Sequence, residues 1–153
     1  MTKTREGAIR AIAGLKPQAP FEALDPLISL SRTETEHENV QAAIGAVATF
    51  CKSSKAAVLA LRDAAAAYQP NLKRAITLQA IGTANCTDSE LVEALAAGLK
   101  SDQENIVYAA AWAAGHFGRA AAPLKGDLQR IAGGPPDART TAAARETLQR
   151  SQR

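Results

Sequence analysis

The chain has 153 residues and a formal net charge of +3 at pH 7, with 46% hydrophobic and 22% charged residues. It contains 35 alanines, whereas aromatic residues make up only 4%. Alanine is the best helix former and strands prefer β-branched and aromatic residues, so this composition excludes a β-sandwich or barrel and predicts an all-α fold. Because no run of 18 apolar residues occurs, we expect no membrane-spanning helix.

Four segments along the chain repeat a short pattern of alanine, an apolar residue and a small residue. Aligned on Ile12, Ile44, Ile81 and Ala114, the segments are 32, 37 and 33 residues apart. Each is predicted to end a helix, and a more leucine-rich helix is predicted to follow it. These second helices are predicted over 21–32, 55–68, 89–100 and 121–132, and a ninth helix over 137–150.

The repeat period predicts an α-solenoid of about four and a half antiparallel helix pairs. One pair of roughly 34 residues cannot bury its own apolar face, so successive pairs stack on each other. Short connections between helices make neighbouring helices antiparallel. We expect one domain over 1–153, with units at about 3–32, 37–68, 70–100 and 101–133 and a partial unit at 137–150.

The repeated first helix, A-A-x-x-A-Ø-G with Ø apolar, and the L-x-x-x-L second helix resemble HEAT repeats of the short bacterial type, which also occur in phycobilin lyases. Asp102 and Asp137 match the aspartate that this family favours in the turn between repeats. Arg74 and Arg139 match its arginine early in the next first helix, which the fourth unit lacks. The resemblance implies an armadillo-like helical fold and a tendency to bind partners, but no particular activity.

The sequence offers few groups for catalysis or metal binding. His37 and His116 lie in different units, and no HExxH, GxSxG, CxxC or glycine-rich phosphate loop occurs. We therefore expect a non-enzymatic protein without a cofactor or a metal ion. Cys51 and Cys86 are too few for a disulfide framework and lack metal-ligand spacing, so reduced thiols in a cytoplasmic protein are expected.

The helix predicted over 103–118 carries the most informative local feature. Tyr108, Trp112 and His116 lie at i, i+4 and i+8, so they form one stripe along the helix. Sister units hold small or polar residues at these positions, and exposed aromatic residues are typical of binding hot spots. The alternative is that the helix over 137–150 folds over this stripe and makes it core. The core positions of the helix are predicted to be Ala110, Ala114 and Phe117.

A second candidate surface is formed by the second helices, which usually line the concave side of stacked pairs. Arg62, Lys125 and Arg130 make this surface slightly basic towards the C-terminal half. The alternative for these residues is an ordinary solvated face.

The leading functional hypothesis is a scaffold or adaptor that binds a protein partner through one of these two surfaces. Nucleic-acid binding through the basic C-terminal half is an alternative, weakened because the Lys and Arg residues are scattered. A lyase or glycosylase subunit is another alternative. HEAT-like DNA glycosylases need an acidic residue beside their aromatic residues, but the residue four positions after Trp112 is His116. The oligomeric state stays open, with a dimer through the end of the last helix compatible with the sequence.

Overall fold

The computed structural model describes residues 23–152. In this range the chain forms eight α-helices, one 3-10 segment and no strand, which confirms the predicted all-α class. The predicted helix that contains Ile12 lies outside the described residues. The helices are α1 (Leu24–Thr33), α2 (His37–Ala48), α3 (Lys55–Ala64), α4 (Asn71–Thr83), α5 (Ser89–Leu99), α6 (Glu104–Ala114), α7 (Lys125–Ala132) and α8 (Arg139–Ser151), with the 3-10 segment Gly118–Leu124 before α7.

The helices contact one another in two series. Helices α2, α4, α6 and α8 contact each other in succession, and we call this series the first-helix row. Helices α1, α3 and α5 also contact in succession, and α5 continues to the 3-10 segment and α7. Neighbours in sequence pack across the two series, as α1 does on α2 and α5 on α6. Each of the predicted units 37–68, 70–100 and 101–133 thus contributes one helix to each series.

Two helices begin differently from the prediction, in both cases beside a proline. The helix predicted over 21–32 begins at Leu24, which places Pro26 in its first turn, where a missing N–H leaves no intrahelical bond unmade. The helix predicted over 121–132 is preceded by the 3-10 segment that contains Pro123, and its α-helical part begins only at Lys125. Proline cannot donate the i→i−4 hydrogen bond, so the regular helix forms after it.

Small residues allow the first-helix row to pack closely. The alanines of α6 at 109, 110, 111, 113 and 114 are at most 1% exposed. The predicted core positions Ala110, Ala114 and Phe117 are all buried. The high alanine content therefore fills the layer where helix backbones approach each other, and leucine and isoleucine fill the space between the two series.

A disulfide joins Cys51, after α2, to Cys86, after α4, with their Cα atoms 5.9 Å apart. The expectation of reduced thiols is therefore wrong. The two cysteines are 35 residues apart, about one repeat, so they occupy corresponding places beside neighbouring first helices. Asn85 adopts a left-handed conformation (φ 53°) that ends α4. The Cys86 N–H then turns back to bond the Ile81 carbonyl at 3.0 Å.

Two arginines singled out by the resemblance tie helices together. Arg74 is 6% exposed, and its Nε donates to the Ala65 carbonyl at the end of α3, at 3.0 Å. Arg139 Nε donates to Glu104 Oε1 at 3.2 Å, which links the start of α8 to the start of α6. No helix between residues 23 and 152 combines the length and the apolar character needed to cross a bilayer.

Candidate functional site

A groove of about 470 Å³ opens on the first-helix row, and we call it the aromatic groove. On α2 and α6 the lining residues recur three or four positions apart, and on α4 they follow the i, i+3, i+4, i+7 pattern, so each helix presents one face to it. A volume of this size lies in the range of about 300–1,000 Å³ found for ligand pockets. The lining consists of Gln41, Gly45, Ala48, Ile76, Gln79, Ala80, Thr83, Ala84, Tyr108 and Trp112.

The structure places two of the three stripe residues in the aromatic groove. Tyr108 and Trp112 are half-buried and line it, with Trp112 also packed against the core. His116 is exposed, and its ring stands 4.4 Å from that of Trp112, tilted by 55°. The stripe therefore supplies one wall of the groove, with the imidazole against the indole.

Helix α8 packs on α6 but leaves Tyr108 and Trp112 partly exposed. Its contact is anchored by Thr147, whose Oγ1 donates to the Ala111 carbonyl at 2.8 Å. At the start of α8, the Arg139 guanidinium lies 4.5 Å from the centre of the Tyr108 ring, a cation–π arrangement. Tyr108 and Trp112 nevertheless still line the open groove. The last helix thus supports the aromatic wall, and does not turn it into core.

The aromatic groove is uncharged and carries polar groups that are available to a ligand. Among residues 23–152, no Asp, Glu, Lys or Arg lines it. Gln41, Gln79 and Thr83 are exposed, and their side chains form no hydrogen bond with any residue in 23–152. An amide offers two donors and one acceptor oxygen, and the indole N–H is a further donor. Such a surface suits a neutral polar chain with apolar side groups, such as a peptide backbone.

A second cleft of about 270 Å³ adjoins the aromatic groove, because Ile76 lines both, and we call it the basic cleft. It lies where α2 and α4 begin. Leu72, at its edge, is 53% exposed. Its lining consists of Arg32, Glu34, Thr35, His37, Val40, Gln69, Pro70, Leu72, Lys73 and Ile76.

The second predicted surface is less basic than the sequence suggested. Arg62 pairs with Glu90 at 3.2 Å, and Arg130 lies 3.6 Å from Asp127 while it also donates to the Leu99 carbonyl. Lys125 lines a separate cleft between α7 and the end of α8. The structure does not bring Arg62 and Lys125 into one cleft. Because two of the three cations have partners within the chain, little free positive charge remains on this surface.

Sequence reasoning missed Gln41 and Gln79 as groove residues. A signal for Gln79 was present in the sequence, because the repeat alignment makes it the residue of the preceding unit that corresponds to Trp112. Gln41 carries no comparable signal, because it reaches the groove only through the packing of α2 beside α4. Within residues 23–152, no three His, Cys, Asp or Glu side chains cluster as a metal site would require. Comparison with protein-family models and with curated proteins found no match to this chain.

Proposed function

We propose that the chain is a HEAT-like α-solenoid that acts as a scaffold or adaptor and binds a protein partner in the aromatic groove. The two series of helix contacts support the solenoid arrangement, because stacked helix pairs contact mainly their neighbours. Three successive first helices contribute to one groove, which is how repeat proteins build extended binding surfaces.

The observation that carries this proposal is that half-buried aromatic side chains and exposed glutamine amides, which form no hydrogen bond within residues 23–152, line one groove. Trp and Tyr are enriched among residues that dominate binding energies, and charged residues are depleted at interface centres. Tyr108 and Trp112 would supply the apolar contact, and the Gln41 and Gln79 amides would pair with polar groups of the partner. His116 would extend the aromatic wall beyond Trp112.

The test is affinity capture from the source cells with the wild-type chain, Trp112→Ala and Leu59→Ala, each with and without nuclease. Leu59 is an exposed apolar residue of α3, outside the groove lining, and serves as the matched control. We expect one stoichiometric protein that binds the wild type and Leu59→Ala, survives nuclease, and is lost with Trp112→Ala. Equal capture by the folded Trp112→Ala variant would overturn the proposal.

The other functional hypotheses stay predictions. Nucleic-acid binding would make recovery collapse with nuclease and would weaken steeply with salt, because phosphate contacts release counterions. The aromatic groove adds no support to the hypothesis of a non-enzymatic protein. It adds none to the alternative of a lyase or glycosylase subunit either. A cytoplasmic location was predicted together with reduced thiols, and the Cys51–Cys86 disulfide instead favours an oxidising compartment, where such bonds persist.

A further inference from the structure

The aromatic groove and the basic cleft adjoin each other along α2 and α4, and we call the two together the furrow. Ile76 lines both cavities. Along α2, His37 lines the basic cleft and Gln41 and Gly45 line the aromatic groove, four residues apart in each step. From His37 to Ala48 this face of α2 spans about 16 Å at 1.5 Å per residue. An extended chain covers that distance with about five residues at 3.3 Å each.

One end of the furrow is positively charged. Arg32 and Lys73 line it, and neither forms an ion pair with any residue in 23–152. Glu34 lies in the same cleft, but its Oε1 already accepts the N–H groups of Thr35 at 3.0 Å and Glu36 at 3.3 Å. Burial lowers the pKa of Lys73; Arg32 lowers it too, whereas Asp63 raises it. An added carboxylate at this end would be attracted by both cations, neither of which has an ion-pair partner within residues 23–152.

The middle and the far end of the furrow are neutral. Leu72, Val40 and Ile76 form an apolar edge and floor near the charged end. Beyond them the exposed Gln41 and Gln79 amides flank the furrow, and Tyr108 and Trp112 stand on its α6 side. The furrow therefore changes along its length from cationic to amide-lined to aromatic.

We propose that this furrow binds an extended peptide segment of the partner with an acidic side chain at the Arg32 and Lys73 end and an apolar or aromatic side chain at the Trp112 end. The uncharged residues between them lie along the Gln41 and Gln79 amides. This inference rests on the proposed function, because it specifies which part of a protein partner the groove takes. Charge complementarity at one end and aromatic contact at the other fix the peptide in one register.

The test is selection from an array of random eight-residue peptides, acetylated and amidated so that only side chains carry charge. The wild-type chain is expected to select peptides with Asp or Glu about three to five residues from an apolar or aromatic residue, in either direction, as the furrow length requires. Selection of peptides without an acidic residue, or of none, would overturn the inference.

Charge reversal at Lys73 tests the cationic end directly. Selected peptides should bind Lys73→Glu at least about tenfold more weakly, because an attractive pair becomes a repulsive one. Lys100→Glu makes the same reversal at an exposed position after α5, outside both cavities, and should bind them as the wild type does. Circular dichroism and thermal melting of both variants establish that they are folded. Equal affinity of the wild type and folded Lys73→Glu would contradict the inference.

Binding to the Trp112→Ala variant distinguishes a failure of this inference from a failure of the proposed function. If the selected peptides lack an acidic residue but do not bind Trp112→Ala, the acidic segment is refuted and the proposal that the groove binds a protein is retained. Peptides that bind equally well to wild type and Trp112→Ala would refute both.

Discussion

Gly82 of α4 lies so close to Ala113 of α6 that a Cβ atom at position 82 would stand 2.6 Å from the Ala113 Cα. Real Cβ contacts are longer, so α4 and α6 would have to move apart to admit even a methyl group. The closeness of these two helices also sets the position of Tyr108 and Trp112 beside α4. The smallest side chain is thus required at position 82 for packing, even though glycine disfavours a helix.

We expect Gly82→Ala to destabilise the protein by about 1–3 kcal/mol, the usual cost of overpacking a core. Gly45→Ala is the matched control, because nothing lies within 4 Å of a Cβ atom at position 45. There the gain in helix propensity should stabilise the protein by about 0.5–1 kcal/mol. Urea unfolding measures both changes, and a Gly82→Ala variant as stable as Gly45→Ala would show that α4 and α6 are not in tight contact.

The Cys51–Cys86 disulfide should stabilise the fold substantially. It closes a loop with a sequence separation of 35, for which the chain-entropy relation gives about 4 kcal/mol. Reductant should therefore lower the free energy of unfolding of the wild type. The Cys51→Ala/Cys86→Ala variant should be less stable than the oxidised wild type and should not respond to reductant. An equal response of both proteins would mean that no such bond forms.

Thr147 anchors α8 on α6 through its hydroxyl. Thr147 is 3% exposed, and its Oγ1 donates to the Ala111 carbonyl, so Thr147→Val should cost about 1 kcal/mol by removing this bond at nearly constant shape. Thr140, on the same helix, forms no side-chain hydrogen bond within residues 23–152, so Thr140→Val is the control. Thermal unfolding of the two variants should differ, and equal midpoints would contradict the anchoring role of the hydroxyl.

Periodicity predicted most of the helices and the core of α6, because both depend on the local spacing of small and apolar residues. Composition likewise predicted the all-α class. The start of α7 was misplaced, because Pro123 lies in a 3-10 segment before the helix and not in its first turn. The disulfide was missed, although the separation of Cys51 and Cys86 by about one repeat places them at corresponding ends of neighbouring helices.

The stripe was located from the sequence, but the groove was not. Tyr108 and Trp112 share a face of one helix, which spacing alone reveals. The groove also needs Gln41 from α2 and Gln79 from α4, whose proximity depends on how three helices pack. The ion pair of Arg62 was missed for a related reason, since its partner Glu90 lies on a different helix.

Filling the aromatic groove without disturbing the fold tests the central claim most directly. Positions 45 and 126 both lie in helices, and a Cβ atom at either has nothing within 4 Å, but only Gly45 lines the groove. The captured protein and the selected peptides should bind Gly45→Leu at least about tenfold more weakly than the wild type, a loss of about 1.4 kcal/mol. They should bind Gly126→Leu as the wild type does. Undiminished binding to folded Gly45→Leu would show that the partner does not occupy the groove.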